Sequence, residues 1–135
     1  MRSYLKSIGC FVFAALALTL AGGCPRYSTK MKYSVNAGDI RRIDVDPSTS
    51  RQSIKVKVLS TVAPVSVYIT LHEHTDEAQQ TIAQYQTPPG DLLVAASEKK
   101  TEHSIDAVIP KNKGYTVFVV GANQATEVSI QIAGD

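Results

Sequence analysis

Apolar and polar residues alternate along most of the chain. The alternation is clearest where Ile54, Val56 and Val58 alternate with Lys55 and Lys57. Successive side chains of a β-strand point to opposite faces, so a strand with this pattern has one face in a core and the other in water. Similar apolar patterns occur at residues 31–35, 43–45, 65–71, 92–97, 102–109, 115–120 and 128–132. The sequence therefore predicts about eight strands.

The same pattern limits the folds that these strands can form. Residues 115–120 are nearly all apolar and fit a central strand covered on both faces. Helices do not alternate with the strands, which argues against a parallel α/β fold. We expect an all-β protein that forms a single small antiparallel β-sandwich of about eight strands. Jelly-roll connections are one way to link these strands. A small closed barrel is the alternative, because the pattern alone does not show whether a sheet closes.

One insertion interrupts the strands after the fourth of them. Ala78, Ile82 and Tyr85 recur at helical spacing, and Thr75 is a residue type that often begins a helix. Pro88, with the proline and glycine after it, ends regular structure. We expect a long loop that carries one short helix.

The chain begins with a segment typical of a signal peptide. Arg2 and Lys6 give a positive start, residues 8–20 are strongly apolar, and small residues follow. The uncharged run is shorter than the roughly 20 residues that span a bilayer. The pattern favours a leader that is removed on export over a retained membrane helix.

The leader ends in the sequence Leu20-Ala21-Gly22-Gly23-Cys24. This resembles the lipobox of bacterial lipoproteins, although that family most often has leucine where Ala21 stands. The resemblance implies cleavage directly before Cys24 and a lipid on Cys24 that anchors the exported protein to a bacterial membrane. The expected domains are a signal peptide at 1–23, the lipidated cysteine and a short tether at 24–30, and the β-sandwich at 31–135. An ordinary secretory signal is the alternative.

Such processing changes both charge and thiol content. Loss of Arg2 and Lys6 leaves 12 of the 14 basic residues against 12 acidic ones, without the basic stripe that favours nucleic-acid binding. Loss of Cys10 and lipidation of Cys24 leave no free thiol for a disulfide, a nucleophile or a metal ligand. We expect a neutral domain that is held together by its own core.

The end of the chain resembles a second family. Pro110, the Gly114-Tyr115 pair and Gly121 frame an apolar strand, as in the ending of bacterial pre-peptidase C-terminal domains. Residues 65–71, with Tyr68 at their centre, resemble the middle strand of that family. The resemblance implies a small extracellular β-sandwich that acts as an accessory or binding domain without catalysis of its own.

Two histidines are the candidate metal ligands. His72 and His74 lie two residues apart at the end of a predicted strand, so both would point to one face. Imidazoles in this arrangement can begin a zinc or copper site, with Asp76 or Glu77 as a further ligand from the insertion. The simpler interpretation is a pair of exposed histidines, because His103 cannot be assumed to reach them. A small metal-binding envelope protein is thus the alternative hypothesis for function.

No motif for catalysis or for a cofactor stands out in the sequence. No serine is flanked by glycines as in a nucleophile elbow, and no phosphate-binding glycine loop occurs. Tyr68 is predicted to face outward, where it would either bind a protein or glycan partner or cover the sheet beneath the insertion. We expect a non-catalytic, membrane-anchored envelope lipoprotein with a binding, accessory or structural role, no cofactor and no nucleic-acid partner.

Overall fold

A computed structural model describes residues 27–134, with the backbone alone for Tyr27. Within this range the strands are β1 (Tyr27–Val35), β2 (Ile40–Val45), β3 (Gln52–Ser60), β4 (Val65–Leu71), β5 (Ala95–Lys100), β6 (Glu102–Ile109), β7 (Tyr115–Gly121) and β8 (Thr126–Gly134). Between β4 and β5 lie one α-helix, α1 (Thr75–Ala83), and two 3-10 turns, His72–His74 and Gly90–Leu92. These elements confirm the predicted all-β domain with one helical insertion.

The strands form two antiparallel sheets of four strands each. The open sheet has the order β1-β8-β3-β6, and the covered sheet has the order β2-β7-β4-β5. Strands 1 to 4 pair with strands 8, 7, 6 and 5 respectively, which is one long double ribbon folded over on itself. This is a jelly-roll sandwich, so the closed barrel is excluded.

The main core lies between the two sheets. Alternate residues of the open sheet, such as Val56 and Ile132, point inward and are at most 1% exposed. They pack against the inner face of the covered sheet, where Val67, Tyr115 and Val117 are fully buried. Burial of these side chains is the main favourable term for a domain of this size.

A smaller second core lies on the outer face of the covered sheet. Ala78 and Ile82 of α1 pack against Tyr68 and Phe118 of the strands below. Both faces of β7 are therefore buried, as its apolar sequence predicts. The helix explains why one sheet is covered while the outer face of the other remains open.

The ends of the sandwich differ in what they carry. The four connections β1–β2, β3–β4, β5–β6 and β7–β8 all cross between the sheets at one end, which we call the tip. Tyr27 pairs with Gly134 at the opposite end. The chain therefore enters the domain at the end furthest from the tip.

Three predicted boundaries differ from the structure. Strand β1 begins at Tyr27, four residues before the expected start of the domain, because its first residues pair with β8. Strand β5 runs from Ala95 to Lys100 rather than over the predicted residues 92–97, and the chain reverses at Thr101. Residues 92–94, the first part of the strand predicted at 92–97, belong to the end of the insertion instead.

The predicted signal peptide and the candidate lipidation site, Cys24, lie outside the described residues. Within residues 27–134, no helix has the length and apolar character needed to cross a bilayer.

Candidate binding surface

His72 and His74 do not share a strand face as predicted. Strand β4 ends at Leu71, and both histidines belong to the 3-10 turn that leads into α1. The His72 N–H donates to the Gly114 carbonyl at 3.0 Å, and His74 Nε2 lies 3.9 Å from a Glu73 carboxylate oxygen. In the part of the chain that the structure describes, no three His, Cys, Asp or Glu side chains are placed to hold a metal ion.

His103 is buried between the sheets, near the tip. Its Nε2 lies 2.9 Å from the Val65 carbonyl and 3.0 Å from the Lys100 carbonyl, so Nε2 carries the proton. Its Nδ1 then accepts from the Ser97 hydroxyl at 2.7 Å. Burial lowers the pKa of His103, although the two carbonyls oppose this shift. His103 is therefore a neutral structural residue that is bound within the fold.

Tyr68 is a core residue rather than an exposed binding platform. Its ring is 5% exposed beneath α1, and its hydroxyl donates to the Glu98 carboxylate at 2.5 Å. Thr87 donates to the same oxygen at 3.0 Å, which joins the loop after α1 to strand β5. The hydrogen bond from Tyr68 is the largest cause of the lowered pKa of Glu98; desolvation opposes it and the bond from Thr87 adds to it. The interpretation that Tyr68 covers the sheet beneath the insertion is confirmed.

A chain of hydroxyl groups fixes the start of α1 on the covered sheet. Thr75 contacts the Thr70 hydroxyl at 3.1 Å and donates to Thr116 at 3.0 Å. Thr116 in turn donates to the Asp44 carboxylate at 2.7 Å. Desolvation alone would raise the pKa of Asp44. The hydrogen bonds from Thr116 and Arg42 outweigh this effect, so the pKa of Asp44 is lowered. These buried hydroxyls are satisfied and position the helix.

The end of α1 places a tyrosine in a costly backbone conformation. The N–H of Tyr85 donates to the Ile82 carbonyl at 2.9 Å, and the N–H of Gln86 donates to the Thr81 carbonyl at 3.1 Å. This is a Schellman motif, in which the residue after the C-cap is left-handed and usually glycine. Here that residue is Tyr85, with a φ of 60°. A bulky side chain in this region costs about 1 kcal/mol or more.

Tyr85 gains little burial in return for this strain. Tyr85 is 89% exposed. This is the highest value among the exposed large hydrophobic residues of the described chain, the next being Val62 at 58%. The ring of Tyr85 lies over Gly38 in the β1–β2 connection. The sequence predicted Tyr85 as a third member of the apolar helix face, which is wrong because the helix ends at Ala83. Backbone strain that no internal packing compensates often marks a functional position.

Tyr85 and the β1–β2, β3–β4 and β7–β8 connections form one continuous surface at the tip. The Gly38 N–H donates to the Ala122 carbonyl at 3.1 Å, which fixes the β1–β2 connection beside the β7–β8 connection. Thr126, at the end of the latter, accepts from the N–H groups of Val62 and Ala63 in the β3–β4 connection. We call Tyr85 and residues 36–39, 61–64 and 122–125 the tip surface.

The tip surface has few charges and is held firmly. Asp39 is its one charged residue, and that carboxylate accepts from the Asn36 N–H at 3.1 Å. Val62 is 58% exposed on a connection that is bound on both sides, because the Ser60 hydroxyl contacts the Ala63 carbonyl and Thr126 holds Val62 itself. An exposed aromatic ring and an exposed valine on rigid, nearly uncharged connections resemble the centre of a protein–protein interface.

The structure thus defines a jelly-roll β-sandwich with a helix-covered sheet and a charge-poor tip surface. The sequence matches no family model, and no curated protein matches it. The fold is similar to that of a periplasmic inhibitor of g-type lysozyme, PliG of Aeromonas hydrophila. The TM-score is 0.56 over 87% of this chain and 93% of that chain, with 13% sequence identity. At this identity the similarity establishes a shared fold.

Proposed function

We propose that the protein is an exported, lipid-anchored binding protein of the bacterial envelope that holds a protein partner on its tip surface and catalyses no reaction. The observation that carries this proposal is Tyr85. Tyr85 is 89% exposed on a backbone with a φ of 60°, so the folded domain bears a cost with little internal gain. Partner binding supplies the missing gain, because a rigid, exposed tyrosine is a frequent binding hot spot.

The composition of the tip surface favours a protein over a glycan. Sugar sites combine an aromatic ring with several converging polar or charged side chains. The exposed neighbours here are small or apolar at Ala37, Gly38, Val62, Pro64, Ala122 and Ala125, and the exposed polar ones, Asn36, Thr61, Asn123 and Gln124, are uncharged. Protein interfaces have such centres, with charged residues depleted and aromatic residues enriched.

The fold suggests which partner to test first. One similar solved structure is that of an inhibitor of g-type lysozyme. We therefore propose that the partner class is a secreted cell-wall-degrading enzyme, with g-type lysozyme as the first candidate. A non-catalytic role for this protein follows from that proposal.

Anchoring through Cys24 fits this use of the tip. Two residues, Pro25 and Arg26, separate Cys24 from Tyr27, the first residue of β1, so the lipid would lie within about 10 Å of the domain. The tip lies a strand length away, roughly 30 Å, and is left uncovered. Metabolic labelling with a clickable fatty acid tests this point. We expect label on the wild type and none on Cys24→Ser, whereas equal labelling of both would contradict the anchor.

A binding measurement with two variants tests the tip surface. Full-length protein is bound to immobilised g-type lysozyme and compared with Tyr85→Asn and Val108→Ser. Asparagine tolerates left-handed backbone, so the first variant removes the ring and preserves the turn. Val108 is 45% exposed on β6, away from the tip, and serves as the control. We expect at least about tenfold weaker binding for Tyr85→Asn alone, the effect of a hot-spot residue.

Two results would contradict parts of this proposal. If the wild type does not bind g-type lysozyme, that enzyme is excluded as the partner. Crosslinking in cells then identifies proteins whose capture is lost in Tyr85→Asn and retained in Val108→Ser. If no captured protein depends on Tyr85, the tip surface is not the binding site.

A further inference from the structure

The outer face of the open sheet carries an unbalanced group of lysines. Lys30 and Lys32 lie on β1, and Lys55 and Lys57 lie on β3, all at exposed positions that alternate with core residues. Strand β8 runs between β1 and β3. The four ammonium groups therefore belong to one face of one sheet, which no helix covers.

The register of the strands sets the spacing of these charges. Lys30 and Lys57 are both Cα partners of Gln131, so they lie on either side of it in one row across the sheet. Two strand spacings separate them, about 10 Å. Lys32 lies in the next row beside Ser129. A shallow depression of about 760 Å³ runs between them, and its polar lining consists mainly of Lys30, Lys32, Lys57, Ser104, Ser129 and Gln131, with Glu102 as its one acidic residue.

These lysines are largely without ionic partners within the domain. Lys55 Nζ lies 3.5 Å from an Asp106 carboxylate oxygen. Lys30, Lys32 and Lys57 form no ion pair with any carboxylate of residues 27–134. The other acidic residues of this face, Glu102 and Glu127, lie nearer the tip, and Glu102 shares the row of Lys32. The half that is nearer the chain entry carries Lys30, Lys55 and Lys57 against Asp106 alone and is therefore basic.

The opposite side of the domain has the opposite charge. Glu73, Asp76 and Glu77 are exposed at the start of α1, and Asp44 lies beneath them on β2. Arg42 and Lys113 balance only part of this group. The domain thus carries basic and acidic groups on opposite faces. Next to an anionic surface, such a distribution favours one orientation, with the open sheet towards the surface.

We infer that the lysine-bearing face of the open sheet lies against the anionic headgroups of the membrane that anchors the protein. This inference rests on the proposed lipid at Cys24. From Cys24 the chain reaches Tyr27 within about 10 Å, at the edge strand of this sheet and at its basic half. The headgroups are therefore the first extended anionic surface that these lysines meet.

Charge and lipid would act together on this face. Basic residues held close to an anionic bilayer are attracted to it, and the attraction decreases with salt. A lipid anchor combined with a basic surface is a recognised pair of membrane signals. In this orientation the strands lie along the membrane. The tip surface points sideways and the acidic helix side faces away, so partner binding is not obstructed.

Lysine labelling in nanodiscs tests the orientation. Full-length protein, purified from membranes, is reconstituted into discs of phosphatidylcholine alone or mixed with phosphatidylglycerol. Amine-reactive label at each lysine is then read by mass spectrometry. We expect labelling of Lys30, Lys32 and Lys57 to fall at least about threefold in the anionic discs, and to recover in high salt. Lys99 and Lys111, which lie outside this face, are the internal controls and should not change.

A triple variant sharpens the test. In Lys30→Gln/Lys32→Gln/Lys57→Gln, labelling is read at the remaining lysine of this face, Lys55. We expect equal labelling of Lys55 in the two kinds of disc. The matched variant Lys99→Gln/Lys100→Gln/Lys111→Gln should retain the difference between the discs. Equal labelling of the wild type in both discs, or a fall that includes Lys99 and Lys111, would overturn the proposed face while leaving the anchor intact. Failure to enter either disc would overturn the anchor, and with it this orientation.

Discussion

The ring of Tyr85 lies over Gly38, and both residues have left-handed backbone, with φ values of 60° and 77°. A Cβ atom at Gly38 would stand 3.9 Å from Cε1 and from the hydroxyl oxygen of Tyr85. Glycine adopts this backbone without steric cost, whereas tyrosine does not. The tip therefore keeps an aromatic ring where glycine would be the more stable choice.

Tyr85→Gly should stabilise the domain and weaken binding to its partner. Glycine relieves the left-handed strain, so we expect the free energy of unfolding in urea to rise by about 1 kcal/mol. Loss of the ring should reduce partner affinity in the same variant. Gln84→Gly is the control, because Gln84 has a φ of −92° and glycine should lower stability there. Lower stability of Tyr85→Gly would refute the strain argument.

Tyr68→Phe should destabilise the domain in a pH-dependent way. The hydrogen bond from Tyr68 is the largest cause of the lowered pKa of Glu98. This contribution to stability is complete above the ordinary glutamate pKa of 4.5 and is lost as the pH falls through the folded value. At neutral pH we expect a cost of about 1 kcal/mol, since Glu98 is solvent-exposed. Urea titrations of both proteins should converge in acid, and a constant difference would contradict this.

His103 should titrate below the ordinary histidine range. Burial lowers its pKa from 6.5, so the unfolded chain takes up the proton first as the pH falls. Its contribution to stability is complete above about pH 6.5 and decreases towards the folded pKa. Carbon-13 shifts of the imidazole ring, followed by NMR, give the midpoint directly. His103→Gln should flatten the stability profile below pH 6.5, and a midpoint above 6.5 would exclude the buried neutral ring.

Gly121→Ala should destabilise the tip, and Gly90→Ala should not. A Cβ atom at Gly121 would meet the Asn36 carbonyl oxygen and lie 2.9 Å from Val35 Cγ1, whereas nothing lies within 4 Å of one at Gly90. Overpacking against backbone costs about 1–3 kcal/mol. Thermal unfolding of the two variants measures the contrast. Similar melting temperatures for both would show that the β1–β2 connection can move away.

Local patterns explain what could be predicted about the site. Thr75 as a residue type that begins helices and the apolar spacing of Ala78 and Ile82 predicted α1 correctly, because these signals come from neighbours in the sequence. The same spacing suggested that Tyr85 belongs to the buried face. That prediction failed because the helix ends two residues earlier, and periodicity does not show where a helix stops.

The sequence by itself determined the class of the fold. Period-two alternation, as at Ile54, Val56 and Val58, is a direct consequence of burying one face of a strand. The apolar run of β7 required cover on both faces, which the open sheet and α1 provide. The export and lipid signals at the N-terminus are also properties of the sequence, and they remain predictions.

Only the tertiary structure decided which residues meet. The tip surface joins connections that are far apart in the sequence, through bonds such as that from Gly38 to Ala122. The lysine-bearing face depends on the register that places Lys30 and Lys57 on either side of Gln131. Strand pairing is non-local, and alternation shows only that a residue faces outward. It does not show which other outward residues lie beside it, and both proposed surfaces consist of such neighbours.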